Sequence, residues 1–583
     1  MRYTFQKMNV NEREGRWVIL KLRGADIVAE TIIDQGITAV FGYPGGQAID
    51  LYDALYKVQD RLSHVLTSHE QHACHAADGY ARATGKPGVV IATSGPGATN
   101  LVTGIATAHL DSIPLVAITG NVPTSLIGRD SFQEVDITGV TLPITKHNFI
   151  VENVRDLEKT LREAFRLAAS GRPGPVLVDI PKDVQQAEWD YTPKGPSVAA
   201  EQEKASDIDI QQALSLIRTA TRPFIYIGGG TQTAGVTREV IELANRIDAP
   251  IGCSLMALSV IPTDHPRFLG MTGMHGHFAS TRSMAESDLI VCIGARFSDR
   301  ATGNTGKFAK QTRIVQIDAD AAELNKNVQV DLGIACDIKD ALQRINDQIG
   351  HHEHPAWQKR VSQLRLMEQD QLDRSIPKDE MTPWAVINEV SKYADAHTPI
   401  VTDVGQHQMW AAQFFPLHTP RTFISSGGLG TMGFGMGAVI GASLATGRRS
   451  ILITGDGSFG MNLGELATLH ANHIPVTIIV LNNSVLGMVR QWQNLFYSRH
   501  SPTRIWMPEN PTLLPLRRPL AFPATPSTPW MNWHPRWPEP WPPTDRFWWI
   551  SALTGMNSFF PCCRQEAVSI RLLRRNRAHD GTF

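Results

Sequence analysis

The chain has 583 residues, with 55 basic side chains against 56 acidic ones and a formal net charge of -1. That balance gives no electrostatic footprint for nucleic acid or for an anionic membrane surface. A 42% hydrophobic and 19% charged composition is ordinary for globular protein, and the length suits three or four domains with their own cores. No apolar run approaches a membrane span, and acids stand where a secretory leader would carry its apolar core, so a cytoplasmic location is expected.

From Gly24 the pattern alternates: a helix over Ala25 to Gly36, a strand over Ile37 to Tyr43, the turn Pro44-Gly45-Gly46, and a helix through Tyr56. Such alternation predicts a parallel sheet covered on both faces. A strand over His64 to Ser68 then leads to Glu70 at the start of a helix rich in small residues. By itself a helix-start glutamate only complements the helix dipole. The strand Val89 to Thr93, the turn Ser94-Gly95-Pro96-Gly97, a helix from Ala98 and the strand Leu115 to Thr119 follow.

The polar stretch Pro193 to Asp209 reads as a linker. A second α/β unit opens with the strand Phe224 to Ile227, which ends in Gly228-Gly229-Gly230, a weak dinucleotide signal because GxGxxG is incomplete. Residues Ile338 to Arg374 read as charged helix broken at His351 to Pro355. The three histidines there lack a second ligand cluster, so a solvated, proline-terminated connection is expected rather than a metal site. Cys74, Cys253, Cys292 and Cys336, spread singly, are expected as buried reduced thiols.

The third unit carries the clearest chemistry. Ile451 to Thr454 and Val476 to Leu481 read as buried parallel strands, and Leu463, Leu466, Ala467 and His470 between them recur at helical spacing. The right-handed crossover puts both strand ends on one edge, so Asp456 in Gly455-Asp456-Gly457-Ser458 and Asn483 in Asn482-Asn483 face one crevice. A carboxylate and a carboxamide oxygen beside free backbone N–H groups suit magnesium carrying a diphosphate. No lysine follows the glycines, which disfavours a nucleotide P-loop. The pairing resembles thiamine-diphosphate enzymes, in which the Asp and the second Asn hold the magnesium.

The resemblance sharpens along the chain. The runs GYPGG, HEQ, SGPGATN, GRDSFQEVDITG, TKHNF and GRPGPVLVDIPKDV resemble the acetolactate synthase large-subunit family, as do LGMTGMHG, DLIVCIGARFSDRATG and RIVQIDADAAELNK in the middle. It implies three doubly wound parallel-sheet α/β domains: a pyrimidine-binding domain over 23–190, an FAD-binding middle domain over 209–345 and a diphosphate-binding domain over 381–498. Around them lie an N-terminal extension (1–22), a linker (191–208) and a helical linker (346–380). It implies Glu70 as the cofactor-activating acid, with Phe132, Gln133 and Lys146 near the reaction centre of the partner subunit. Arg300, Trp492 and Met488 would meet the second substrate. Gly405, Gln406, His407, Gly430, Met432, Gly455, Gly457 and Ser458 would hold thiamine diphosphate, and Val485 would join Asp456 and Asn483 on magnesium. Gly229, Gly230, Met274, His275, Gly294, Arg296, Asp318 and Asp337 would contact FAD. The family run after GFG is Leu-Pro-Ala-Ala, whereas this chain has Met436-Gly437-Ala438-Val439, which leaves the start of that helix open.

The implied reaction joins the two-carbon fragment of pyruvate to a second 2-keto acid in a homodimer with shared active sites, under a possible regulatory small subunit. A pyruvate oxidase, a 2-keto acid decarboxylase and a catalytically dead scaffold are the alternatives. The last arises because the resemblance stops after about residue 498. Residues 501–550 hold thirteen Pro and seven Trp, which predicts no helices or strands. A Pro-rich binding tail and an out-of-frame translation both fit, and the dense Trp with the mid-domain switch favours the second.

Overall fold

The computed structural model describes residues 19–306, 308–376 and 381–498, and the backbone of 547–553. Three all-parallel sheets organise the chain. The first runs, in spatial order, Ser63–Leu66, Ala39–Tyr43, Gly88–Ala92, Leu115–Asn121, Pro175–Pro181 and His147–Ile150. Gly88–Ala92, Leu115–Asn121 and Pro175–Pro181 are buried throughout, as continuous apolar runs covered on both faces must be. Outer helices bury one stripe: Val154–Ala169 turns Leu157, Leu161, Ala164, Phe165 and Ala168 inward and is capped by Asn153, which accepts from the Arg155 N–H.

The middle sheet runs Phe268–Met271, Ile251–Cys253, Pro223–Ile227, Leu289–Ile293, Arg313–Asp318 and Leu332–Ala335. Strand order reverses between Pro223–Ile227 and Leu289–Ile293, which places a crevice at their carboxyl ends. The segment expected as a helical linker is not a free tether. Its helix Pro355–Ser375 buries Trp357, Val361 and Leu364, and the Trp357 indole N–H donates to the Pro223 carbonyl at 3.0 Å. Glu368, lower on that helix, accepts from the Phe278 N–H at 2.8 Å and caps the helix Phe278–Glu286.

The third sheet runs Phe423–Ile424, Ile400–Thr402, Ser450–Gly455, Val476–Asn482 and Phe547–Leu553. Its last strand corrects the expectation that the sequence after His500 contributes no strand. Phe547–Leu553 lies parallel to Val476–Asn482 in continuous register from Val476↔Phe547 to Asn482↔Leu553. The stretch FWWISAL is free of proline and made largely of aromatic and β-branched residues, a composition that suits a strand. Residues 20–22, expected in an extension, form part of the strand Leu20–Arg23, paired antiparallel with Glu188–Tyr191. The helix expected from Ala98 comes in two pieces, Pro96–Thr99 and Val102–Asp111. The remaining extension, residues 499–546 and 554–583, and the pair Cys562-Cys563 lie outside the described residues. Cys74, Cys253, Cys292 and Cys336 are buried free thiols.

The first and third units pack through the helices Glu70–Thr84 and Phe434–Thr446. A methyl group on Gly441 would stand 1.8 Å from the Ala76 carbonyl oxygen, and one on Gly79 2.2 Å from that of Ala438, so the two backbones touch only because both positions lack Cβ. Phe434–Thr446 starts cleanly despite Gly437, because Asp403 accepts from the Gly433 and Gly435 N–H groups at 2.9 and 3.1 Å.

A buried ion network locks the same junction. The Arg82 guanidinium pairs with Asp78 and, at 2.8 Å, with Asp111, and donates to the Ser425 carbonyl at 2.8 Å. Asp111 also accepts from the Gly427 and Gly428 N–H groups. Arg82→Met would strand two buried carboxylates and is expected to cost about 3–5 kcal/mol, read as a lower urea midpoint. An unchanged midpoint would remove the network from the stabilising interactions.

Candidate active site

At the carboxyl edge of the third sheet, Gly455 ends a buried strand and Asp456 opens the short helix Asp456–Gly460. Asp456 is 5% exposed. Burial pushes its carboxyl up from the usual range, opposed by the backbone N–H groups of Asp456, Asn483 and Gly457. A cation there would reverse the penalty, so its binding should weaken as pH falls and the carboxyl takes up a proton. Asn483 follows the neighbouring strand. Its Nδ2 donates to Gln406 Oε1 at 3.1 Å, and its Oδ1 accepts from the Val485 N–H at 3.2 Å. Among the described residues no group of three or more His, Cys, Asp or Glu could hold a metal, so a cation here would draw on Asp456, the Asn483 carboxamide, a backbone carbonyl such as that of Val485, and oxygens of its own ligand.

The His407 imidazole lies between two glycines. A methyl group on Gly455 would reach 2.8 Å from its Nδ1, and one on Gly405 2.7 Å from its Cε1. Burial lowers the His407 pKa to about 3, so the ring is neutral, and its buried Nε2 has no partner among the described residues. An orphaned buried nitrogen beside a glycine edge is what a bound diphosphate would satisfy. Ser458 Oγ donates to the Val404 carbonyl at 2.9 Å. Met432 borders the same crevice, with its Cε 3.7 Å from where a Gly457 Cβ would stand. Gly430 takes φ +68° just before it, and the Thr431 and Thr107 hydroxyls meet at 2.8 Å, so the first unit holds the loop that carries Met432.

A second group forms on the first unit. Glu70 is half-buried, and its Oε2 accepts from Asn100 Nδ2 at 2.9 Å. Its Oε1 borders Gly97, and Gly95 in the same turn abuts the Gln133 backbone. Gln133 has φ +59°, and its neighbour Phe132 is 84% exposed. Lys146 does not join them. Its Nζ donates to the Leu167 and Ser170 carbonyls at 2.6 and 2.7 Å, closing the end of the helix Val154–Ala169, and burial lowers its pKa to about 8.

The middle unit gathers a third group at its crevice. Gly228 and Gly230 pack against the Gly294 backbone across the switch point, with Gly229 between them. Asp318 ends the next strand, and burial raises its pKa to about 6. Met274 and His275 follow the edge strand, and the Met274 N–H donates to the Arg300 carbonyl at 2.8 Å. The Arg296 carbonyl accepts from Asn327. Glycine edges and an acid at a switch point fit a flavin dinucleotide. Asp337 is instead the cap of the helix Ile338–Gln348, accepting from the Lys339 and Asp340 N–H groups. The Arg300 side chain lies over Met274 Sδ at 3.7 Å. Trp492 and Met488 sit on the helix Gly487–Phe496, which buries none of its residues.

Sequence reasoning missed two buried acids. Asp403, fully buried, organises the loop before Phe434. Glu465, also fully buried, accepts from the Ser68 N–H at 3.0 Å, from His72 Nδ1 at 3.0 Å and from the Thr468 hydroxyl at 2.7 Å. It thereby ties the segment beside Glu70 to the third unit.

Comparison with known proteins agrees with this layout. Three profiles match: the thiamine pyrophosphate enzyme N-terminal TPP binding domain over residues 22–140, the central domain over 210–345 and the C-terminal TPP binding domain over 403–514. The probable acetolactate synthase large subunit of Methanocaldococcus jannaschii is 44% identical over 513 residues, covering 85% of this chain and 86% of its own. Isozyme 3 and isozyme 1 large subunits of Escherichia coli are 43% and 45% identical, each over 82% of this chain and 86% and 85% of their own.

Proposed function

From the premise that this chain belongs to the acetolactate synthase large-subunit family of thiamine pyrophosphate enzymes, we propose that it is the catalytic subunit of such an enzyme. In this reading it decarboxylates pyruvate and joins the two-carbon fragment to pyruvate or 2-oxobutanoate. The products are 2-acetolactate and 2-aceto-2-hydroxybutanoate, at the first common step of branched-chain amino-acid synthesis. The observation that carries the reading is the crevice where Asp456, Asn483 and the neutral, orphaned His407 meet at one sheet edge.

Bound thiamine diphosphate supplies the electron sink that decarboxylation of a 2-keto acid requires. The chain's own groups do the rest. Asp456, Asn483 and Val485 would hold magnesium, while Gln406, His407, Gly455, Gly457 and Ser458 would hold the diphosphate and Met432 would border the bound cofactor. Glu70 holds and returns a proton at its free carboxylate oxygen, the Asn100 bond fixing the other one. Arg300 offers a guanidinium fork to the carboxylate of the second keto acid, and Trp492 and Met488 pack on its alkyl end. FAD in the middle crevice is structural, because the reaction has no net redox change.

The unit is a homodimer in which Glu70, Phe132 and Gln133 of one copy serve the magnesium crevice of the other, and the exposed Phe132 ring beside Gln133 supports such a contact. A regulatory small subunit fits relatives named as large subunits. No helix of the described residues is long and apolar enough to cross a membrane, and a cytoplasmic location belongs to the same reading.

The purified chain is expected to be yellow, with a flavin absorption spectrum released on denaturation, because the middle crevice is built wholly from residues before position 340. A colourless protein that takes up no FAD on reconstitution would refute that. Product analysis tests the function on a chain with its frame restored after Ser498: acetolactate from pyruvate supports it, whereas peroxide would indicate an oxidase and acetaldehyde alone a simple decarboxylase.

A further inference from the structure

A pocket of about 310 Å³ opens beside the junction of the first and third units, away from both crevices. Ala83 lines it from the first unit, and His397, Arg421, Thr422, Thr446 and Arg448 line it from the third. Arg421 is the unusual member. Its backbone takes φ +68°, outside the range a side-chain-bearing residue prefers. Among the described residues its guanidinium reaches main-chain oxygens, the Arg82 carbonyl at 3.2 Å and the Gln232 carbonyl of the middle unit at 3.3 Å, while its backbone N–H donates to Gln232 Oε1 at 3.2 Å. Burial pushes its pKa down, and no carboxylate among the described residues opposes that shift. Arg448 pairs with Asp395 at 3.1 Å. The Asp395 carboxylate also accepts from the His397 N–H and the Thr398 hydroxyl. Among the described residues Asp395 thus pairs with Arg448, and no carboxylate pairs with Arg421.

We propose that this pocket binds a small phosphate-bearing anion, with Arg421 and Arg448 as its charge partners. A half-buried guanidinium without a counter-charge carries a desolvation cost that an arriving anion offsets. The planar fork of donors matches tetrahedral oxyanions. The volume lies at the small end of ligand pockets, suited to inorganic phosphate or a short phosphate ester. Such a ligand would sit where residues of all three units converge on Arg421. The inference does not depend on the catalytic reading.

The test is titration calorimetry of inorganic phosphate into the full chain, with thiamine diphosphate, magnesium and FAD saturating so that their phosphate-binding surfaces are filled. One saturable phosphate per chain is expected at constant ionic strength. Arg448→Gln, at a side chain 48% exposed and so tolerant of change, is expected to weaken binding by about tenfold or more, and Arg421→Met to abolish it. Arg238→Gln, a side chain 83% exposed elsewhere, should leave it unchanged. Displacement of phosphate by glycerol 3-phosphate would identify an ester site, and its failure a site for free phosphate. The absence of saturable binding, or equal binding by Arg448→Gln, would overturn the proposal.

Discussion

Glu70→Gln is expected to lower turnover by about 10²–10⁴-fold while leaving thiamine diphosphate and magnesium binding nearly unchanged. Gln keeps the size of the side chain and an oxygen for the Asn100 amide, now held at 2.9 Å. It cannot take up and return a proton. The helix start survives as well, because His69 rather than Glu70 caps it, its Nδ1 accepting from the Gln71 N–H at 3.1 Å. The groups that would hold the diphosphate and the cation lie on the third unit, so the binding isotherm should not move. Asp456→Ala should do the reverse, removing the buried carboxylate of the magnesium crevice and weakening cofactor binding first. Calorimetry of cofactor binding separates the two variants, and exchange of the bound cofactor's C2 proton into D2O reads proton transfer without full turnover. If both variants lose the cofactor, or both keep it and exchange at the normal rate, this division of roles is mistaken.

What was legible in the sequence was local. Asp456 and Asn483 could be placed in one crevice because each follows a short apolar run, and a strand-helix-strand unit fixes which ends meet. The observed strand Ser450–Gly455 is one residue longer than expected at each end, and Val476–Asn482 is one residue longer at its carboxyl end. In the middle unit the glycines after Phe224 to Ile227 were by themselves a weak signal, and the family resemblance pointed to the other positions. Long-range partners were not. Glu465 meets Ser68 across 397 positions of sequence, and no periodicity announces such a contact. The role of Lys146 at a helix end depends on a helix that follows it. Asp337 presents the same chemistry as a ligand-binding acid, yet its carboxylate is used two and three residues on. Phe547–Leu553 was hidden by its surroundings: a window dominated by Pro suppressed a seven-residue run that on its own has strand composition.

That strand changes the grounds for the last expectation without reversing it. The chain as given should make acetolactate at least about 10²-fold more slowly than a version with its frame restored after Ser498, since small misplacements of reacting groups already cost that much. The sheet edge beside Asn483 is covered by Phe547–Leu553, so the third unit need not unravel from that side. The deficit lies over the helix Gly487–Phe496. Val489, Trp492 and Phe496 are 50%, 45% and 66% exposed there, and among the described residues Trp492 meets the Phe496 ring, 5.3 Å away. In the proposed reading Trp492 packs on a substrate's alkyl end, a role that needs a covering layer. At roughly 25 cal/mol per Å² of apolar surface, leaving several of them in water forfeits several kcal/mol of positioning. Residues 501–546, which would have to supply that layer, carry thirteen prolines. Water and protons would then reach the reacting carbon, and acetaldehyde would replace acetolactate as product. Both chains should be expressed side by side, loaded with thiamine diphosphate, magnesium and FAD, and assayed for both products from pyruvate. Equal acetolactate from the two would mean that the proline-rich segment is a working part of the enzyme and that the frame is sound.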